Sequence, residues 1–133
     1  MKQVLLDTHA FLWFVFDDPR LSKCAEEVIL DPKVEKILSM GSLWEIVIKT
    51  QLDKLRLGMK IEELVEEHIV GRVLTLLPIE MPHLFTYFQL PLHHRDPFDR
   101  LLVAQALTLN LPVVTGDLKF KPYGVDVVWG NSP

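Results

Sequence analysis

Short runs of continuous apolar residues alternate along this chain with longer stretches whose apolar positions recur every three to four residues, and the alternation predicts strands and helices in turn. Gln3-Val4-Leu5-Leu6 is nearly all apolar and ends at Asp7, which predicts a buried parallel strand with an acid at its carboxyl end. His9 to Phe16 follows as a helix that is apolar on almost every side, stopped by Asp17-Asp18-Pro19. Phe11, Trp13, Phe14 and Phe16 cannot all face one core, so part of that helix is expected to be covered by a second copy or a partner's helix. A second helix runs from Ser22 through Leu30 and is closed by Asp31-Pro32, and Val34 to Met40 predicts a strand. In the next stretch, Gly41 to Lys49, Ser42 and Glu45 have the spacing of a capping box, which predicts a helix start there with Glu45 in its first turn.

The second half repeats the alternation. Asp53 to Leu57 reads as a turn or hairpin-like link, Ile61 to Ile69 as an amphipathic helix with solvated glutamates, Val73 to Ile79 as a strand, and Met81 to Leu90 as a helix rich in aromatics. The helix that follows has the clearest start: Asp96 suits the N-cap, Pro97 the first helical position, and Asp99 the third, facing the electropositive helix end. It is expected to run to Asn110. Leu111 to Thr115 predicts another strand with Gly116-Asp117 directly after it, and Val125 to Trp129 a last strand before a short tail. Strands alternating with helices imply a single α/β domain over 1–133, with a parallel sheet covered by helices on both faces.

Composition narrows what such a domain does. At 133 residues, 49% hydrophobic and 24% charged, the chain has enough apolar side chains for one core. A net charge of -4 argues against a broad basic patch, so a polyanionic substrate would need metal ions or a local basic rim. The single cysteine, Cys24, cannot form an intramolecular disulfide, which suits a reducing compartment. With no basic leader ahead of the first strand and no apolar run longer than Ala10 to Phe16, the expectation is an unprocessed, cytoplasmic protein without a membrane span.

Four acids map to one edge of the expected sheet. Asp7 and Asp117 follow apolar runs, while Glu45 and Asp99 are expected in first turns of helices that begin at that edge, where ligands of open parallel sheets bind. Singly, each also reads as a helix cap. Together they are costly: two carboxylates about 4 Å apart repel by roughly 4 kcal/mol at an effective dielectric near 20. A hard divalent cation relieves this. Oxygen ligands, without paired cysteines or a zinc-spaced histidine pair, favour Mg²⁺ or Mn²⁺, which suggests metal-dependent hydrolysis of nucleic acid.

The segments Leu5-Leu6-Asp7-Thr8, Ser42-Leu43-Trp44-Glu45-Ile46, His94 to Ala106 and Val114-Thr115-Gly116-Asp117, in this order, resemble a PIN domain, and more narrowly the small VapC-type toxins of toxin–antitoxin pairs. The resemblance implies a three-layer α/β/α fold with a mainly parallel sheet, Mg²⁺- or Mn²⁺-dependent endoribonuclease activity, inhibition by a cognate antitoxin protein, and homodimers. It also implies that Asp7, Glu45 and Asp99 are the family's three metal-site acids, with Asp117 the more variable fourth. Thr8 and Thr115 match hydroxyl positions that orient acids or water. Asp96 is an additional acid, expected to cap its helix and a candidate for supporting the site. His93, His94, Arg95 and Arg100 border the acidic edge and could receive the RNA backbone, although His and Arg ahead of a helix are more often solvated surface; Arg95 and Arg100 are the candidates for direct substrate contact, and His9 is expected to be packed or hydrogen-bonded.

A receiver domain of phosphorelay signalling shares this length and an acidic Mg²⁺-binding edge, but it needs an acidic pair after the first strand, where Leu6 precedes Asp7, and a late strand-end lysine, whereas Lys119 lies beyond Asp117. A haloacid-dehalogenase-type phosphatase needs an aspartate where His9 stands. The third alternative, a catalytically inactive PIN-like binding module, sits poorly with four acids in place.

Overall fold

The computed structural model describes residues 1–130; the end of the expected tail, residues 131–133, lies outside the described residues. Alternation along β1 (Gln3–Leu6) divides the core in two, Val4 and Leu6 entering one apolar layer and Leu5 the other. Into the first layer come Phe11 and Leu12 of α1 (Thr8–Val15), Ala25 and Ile29 of α2 (Lys23–Leu30), Ile46 of α3 (Met40–Gln51) and Leu64 of α4 (Ile61–Val65). The second layer holds Leu102, Val103 and Ala106 of α6 (Pro97–Leu109), with Phe120 and Tyr123 from a 3₁₀ turn at Leu118–Tyr123. α5 (Met81–Gln89) packs on α6. The architecture is therefore three-layer α/β/α.

The five strands are all parallel, in the order β3 (Thr75–Leu77), β2 (Glu35–Ser39), β1, β4 (Val113–Val114), β5 (Val127–Val128). The chain builds outward from β1 to β2 and β3, then returns to the other side of β1 for β4 and β5. That reversal opens a crevice beyond the carboxyl ends of β1 and β4, where open parallel sheets bind ligands. Register places Leu6 beside Val114, so Asp7 and Thr115 emerge next to each other.

Several elements depart from expectation. The outer strands pair over fewer residues than the apolar runs span: Val73 has a positive φ of 57° just before β3, and Pro112 has no N–H to contribute before β4. No hairpin forms over 53–57, and past Val65 the fourth helix widens into a π-helical turn at Glu66–Val70. The expected capping box at Ser42 and Glu45 does not form. β2 runs straight into α3, so Ser39 is the cap, its Oγ accepting the Gly41 N–H at 3.0 Å, and Glu45 lies in the second turn rather than the first. Ser42 instead accepts the Thr8 hydroxyl at 2.9 Å. A Cβ at Gly41 would stand 2.4 Å from Leu101 Cδ2; this close approach of α3 to α6 carries Glu45 toward Asp99.

Helix α1 is also better covered than its composition suggests. Ala10, Phe11 and Leu12 are buried, and the Arg72 guanidinium lies 4.8 Å from the Phe14 ring centroid. Exposed apolar side chains gather elsewhere, on α5 at Met81, Leu84, Phe85 and Phe88 and on α3 at Trp44 and Val47. No helix among the described residues is long and apolar enough to cross a membrane.

Candidate active site

Asp7 ends β1 and caps α1: its Oδ1 accepts the Ala10 N–H at 2.6 Å and its Oδ2 accepts the Thr115 hydroxyl at 2.5 Å. Thr115 Oγ1 in turn accepts the Asp117 N–H at 3.0 Å, so one hydroxyl at the end of β4 ties the two acids together. Thr8, by contrast, bonds Ser42 and no acid. Asp117 caps the 3₁₀ turn through Oδ1, which accepts the Lys119 N–H at 2.9 Å, leaving Oδ2 facing inward.

At α6 the two aspartates divide the labour. Asp96 Oδ1 accepts the N–H groups of Phe98 and Asp99, at 2.8 and 3.1 Å, and so caps the helix. The Asp99 carboxylate makes no cap bond and is directed into the site. Glu45, buried on α3, pairs through Oε2 with Lys49 Nζ at 2.5 Å, one helical turn on, while its Oε1 is buried without a hydrogen-bond partner.

These carboxylates strain one another. Burial, followed by the negative charges of Asp96, Asp7, Glu45 and Asp117, pushes the Asp99 carboxyl from 3.8 up to about 8. Burial likewise raises Asp7, against the pull of the Thr115 hydroxyl and the Ala10 N–H. A partnerless buried carboxylate oxygen on Glu45 and an acid driven to about 8 are what a hard divalent cation would relieve. Asp7, Glu45, Asp99 and Asp117 therefore fit Mg²⁺ or Mn²⁺.

A histidine joins these acids. His94 Nε2 lies 2.8 Å from Asp117 Oδ2 and 3.0 Å from Asp99 Oδ2, and one ligand-type atom from each of the three residues falls within 4.8 Å of the others. The ring's other nitrogen settles its role: Nδ1 accepts the Asp96 N–H at 3.2 Å, so the proton sits on Nε2 and is donated to the two carboxylates. His94 is thus an orienting donor rather than a ligand. His94 stands at the acidic edge, as expected, but it is buried rather than solvated surface, because its backbone is held inward, its N–H donating to the Tyr123 hydroxyl at 2.8 Å. His94→Ala should lower the affinity of these acids for Mg²⁺ by about tenfold to a hundredfold, and His94→Gln, which keeps an N–H donor, should recover part of that; Mg²⁺ titrations of the two variants check it.

Arg100 also departs from expectation. It is not a rim residue: it is 7% exposed, with Nη1 donating to the carbonyls of Pro91 and His94 and to the Tyr123 hydroxyl, at 3.0, 3.3 and 3.3 Å, and with its guanidinium 4.9 Å from the Tyr87 ring centroid. Buried there, the guanidinium fixes the segment that carries His94, Nη2 also donating to the Leu90 carbonyl, instead of standing at the rim where a phosphate would meet it. Arg95 is exposed on that segment, as is His93, whose ring lies edge-on to Tyr123. The cation that does enter the site, Lys49, carries a sequence signal in its spacing of four residues from Glu45.

An α/β/α sandwich with acids gathered at the switch point of a parallel sheet defines a class of fold and site. The chain belongs to the PIN domain family, whose model matches residues 4–125; PIN domains are nucleases. Solved structures with the same fold include VapBC2 from Rickettsia felis bound to a DNA fragment from its promoter, at 16% identity and a TM-score of 0.70, covering 96% of this chain and 99% of that one. FitAB bound to an IR36 DNA fragment is similar at 21% identity and a TM-score of 0.64, covering 93% and 92%, and FitAcB from Neisseria gonorrhoeae at 21% and 0.62, covering 94% and 96%. No curated protein matches the sequence.

Proposed function

We propose that this chain is a Mg²⁺- or Mn²⁺-dependent endoribonuclease, the toxin of a cytoplasmic toxin–antitoxin pair, which hydrolyses single-stranded or looped RNA at Asp7, Glu45, Asp99 and Asp117. The observation that carries the proposal is the crowding of buried carboxylates around Asp99, which drives its carboxyl to about 8. When bound, the cation supplies charge stabilisation for the phosphodiester and an activated water. The chain's own residues prepare for this. Thr115 and the Ala10 N–H fix both oxygens of Asp7, and His94 aims Asp99 and Asp117 from a donor locked by the Asp96 N–H. Lys49 neutralises one oxygen of Glu45 and leaves the other free. Arg95, exposed beside the acids, is assigned to the RNA backbone; Asp96 supports the site through its cap and Thr8 through Ser42. Purified protein should cut single-stranded RNA with Mg²⁺ or Mn²⁺ and not with EDTA; equal cleavage after chelation would refute a metal-dependent reaction.

The antitoxin and the homodimer belong to the same proposal. VapBC2 and FitAB are two-component assemblies of this fold, and here α5 and α3 carry exposed apolar side chains, among them Phe88 at 89%. A second copy is assigned to that surface. Sedimentation should show a dimer that Phe88→Asp converts to a monomer, and a monomeric wild type would remove the assignment.

A further inference from the structure

Beside the acids lies a hollow of about 510 Å³ lined by Asp7 and Asp117 together with Trp13, Arg20 and Trp129. Apart from the acids, its lining is built of flat π-surfaces. The Trp13 and Trp129 rings meet with centroids 5.8 Å apart, His9 stands one helical turn from Trp13 with its ring at the same separation, and the Arg20 guanidinium lies 4.8 Å from the Trp13 centroid.

Each member is held. The Trp129 carbonyl accepts the Ser22 hydroxyl, and its ring packs so close to the chain at Gly116 that a Cβ there would fall 2.7 Å from it. Arg20 is paired with Asp18, Nη2 to Oδ2 at 2.8 Å and Nε to Oδ1 at 3.1 Å, which offsets part of its charge while its guanidinium lies over the Trp13 ring. A wall of this kind is suited to bases, since aromatic and guanidinium planes are the common stacking surfaces for unpaired nucleotides. Gly116 joins wall to acid: the residue that admits the Trp129 ring is the direct neighbour of Asp117.

We propose that the Trp13–Trp129–Arg20 wall is a nucleobase subsite that stacks a base of single-stranded RNA next to the phosphate being cut, a role that presupposes the ribonuclease activity proposed for the acids. Stacking here is binding energy common to ground and transition states, so its loss appears in KM rather than kcat. Trp13→Ala and Arg20→Gln should raise KM for a short RNA, the first by roughly tenfold to a hundredfold and the second by a smaller factor, with kcat little changed. In the wild type, an abasic residue at one position flanking the cut should reproduce the Trp13→Ala loss, and in Trp13→Ala it should add almost nothing. Arg20 is largely exposed, so its variant keeps the test open if Trp13→Ala is poorly folded.

A second readout does not depend on cleavage. The chain has three tryptophans, so in a Trp44→Phe background all tryptophan emission comes from this wall. A single-stranded oligonucleotide added with Ca²⁺ should quench that emission, and its abasic counterpart should not. Quenching without any RNA cleavage would uphold the subsite while removing the ribonuclease reaction. Cleavage with a flat abasic scan, unchanged KM in folded variants and no quenching would overturn the subsite.

Discussion

Asp99→Asn should raise the melting temperature of the metal-free protein at pH 8 while lowering RNA cleavage by orders of magnitude. Asp99 is the acid on which burial and four other carboxylates act together, and the amide keeps an oxygen to accept the His94 N–H while removing the charge. A carboxyl moved from 3.8 to about 8 corresponds to an upper bound on the order of 5 kcal/mol, shared among the interacting acids, so a gain of about 1 kcal/mol or more is expected. Added Mg²⁺ should then raise the variant's melting temperature less than the wild type's, since only metal bound to the native state produces that rise. A residue that merely complemented the helix dipole would behave oppositely: the variant would lose about 0.3 to 1 kcal/mol and keep its metal response. Thermal melts of both proteins with EDTA and with Mg²⁺ separate the two, and a destabilised metal-free variant with an unchanged metal shift would remove Asp99 from the site.

The metal-free wild type should lose stability as pH rises from about 4 to 8. Folded Asp99 holds its proton more tightly than unfolded Asp99, so the native state is favoured by acid. That contribution is fully present below the ordinary value of 3.8, declines through the interval, and is gone above about 8. Asp7, raised by burial, acts in the same direction. The trend runs against the usual behaviour of a paired surface carboxylate. It should flatten in saturating Mg²⁺, where cation replaces proton, and in Asp99→Asn. Urea melts at intervals between pH 5 and 9, with EDTA and with Mg²⁺, measure it; a metal-free stability that climbs through this range would contradict the crowding of the acids.

The parts of the site legible in the sequence are those that depend on local pattern. Asp7 and Asp117 each follow a short apolar run, and a parallel sheet sends both run ends to one edge. The sequence separates Asp96 from Asp99 by position, N-cap against third helical residue, and the cap bonds to Asp96 agree with that division. Glu45 is legible as chemistry but not in its place: Ser39 and Ser42 both suit a cap, and Ser39 prevails because β2 passes into α3 without a loop. His94 and Arg100 both turn inward from the rim for one reason. Tyr123 binds the backbone of the first and the guanidinium of the second, and it lies 23 residues beyond Arg100, on a 3₁₀ turn that no periodicity announces. The exposed apolar face belongs to α5 rather than α1 for a similar reason, since Arg72 covers Phe14 from far along the chain.

Calorimetric titration of Mn²⁺ into metal-free protein at pH 7, repeated in buffers of different ionisation enthalpy, bears most directly on the claim that these carboxylates form one cation site. With Asp99 at about 8 the native protein still holds that proton at pH 7, and binding should expel it, so the heat should depend on the buffer with a release approaching one proton per site. In Asp99→Asn the affinity should fall and the proton release should vanish. Absence of Mn²⁺ binding, or binding to wild type and variant with the same affinity and no proton release, would contradict the account.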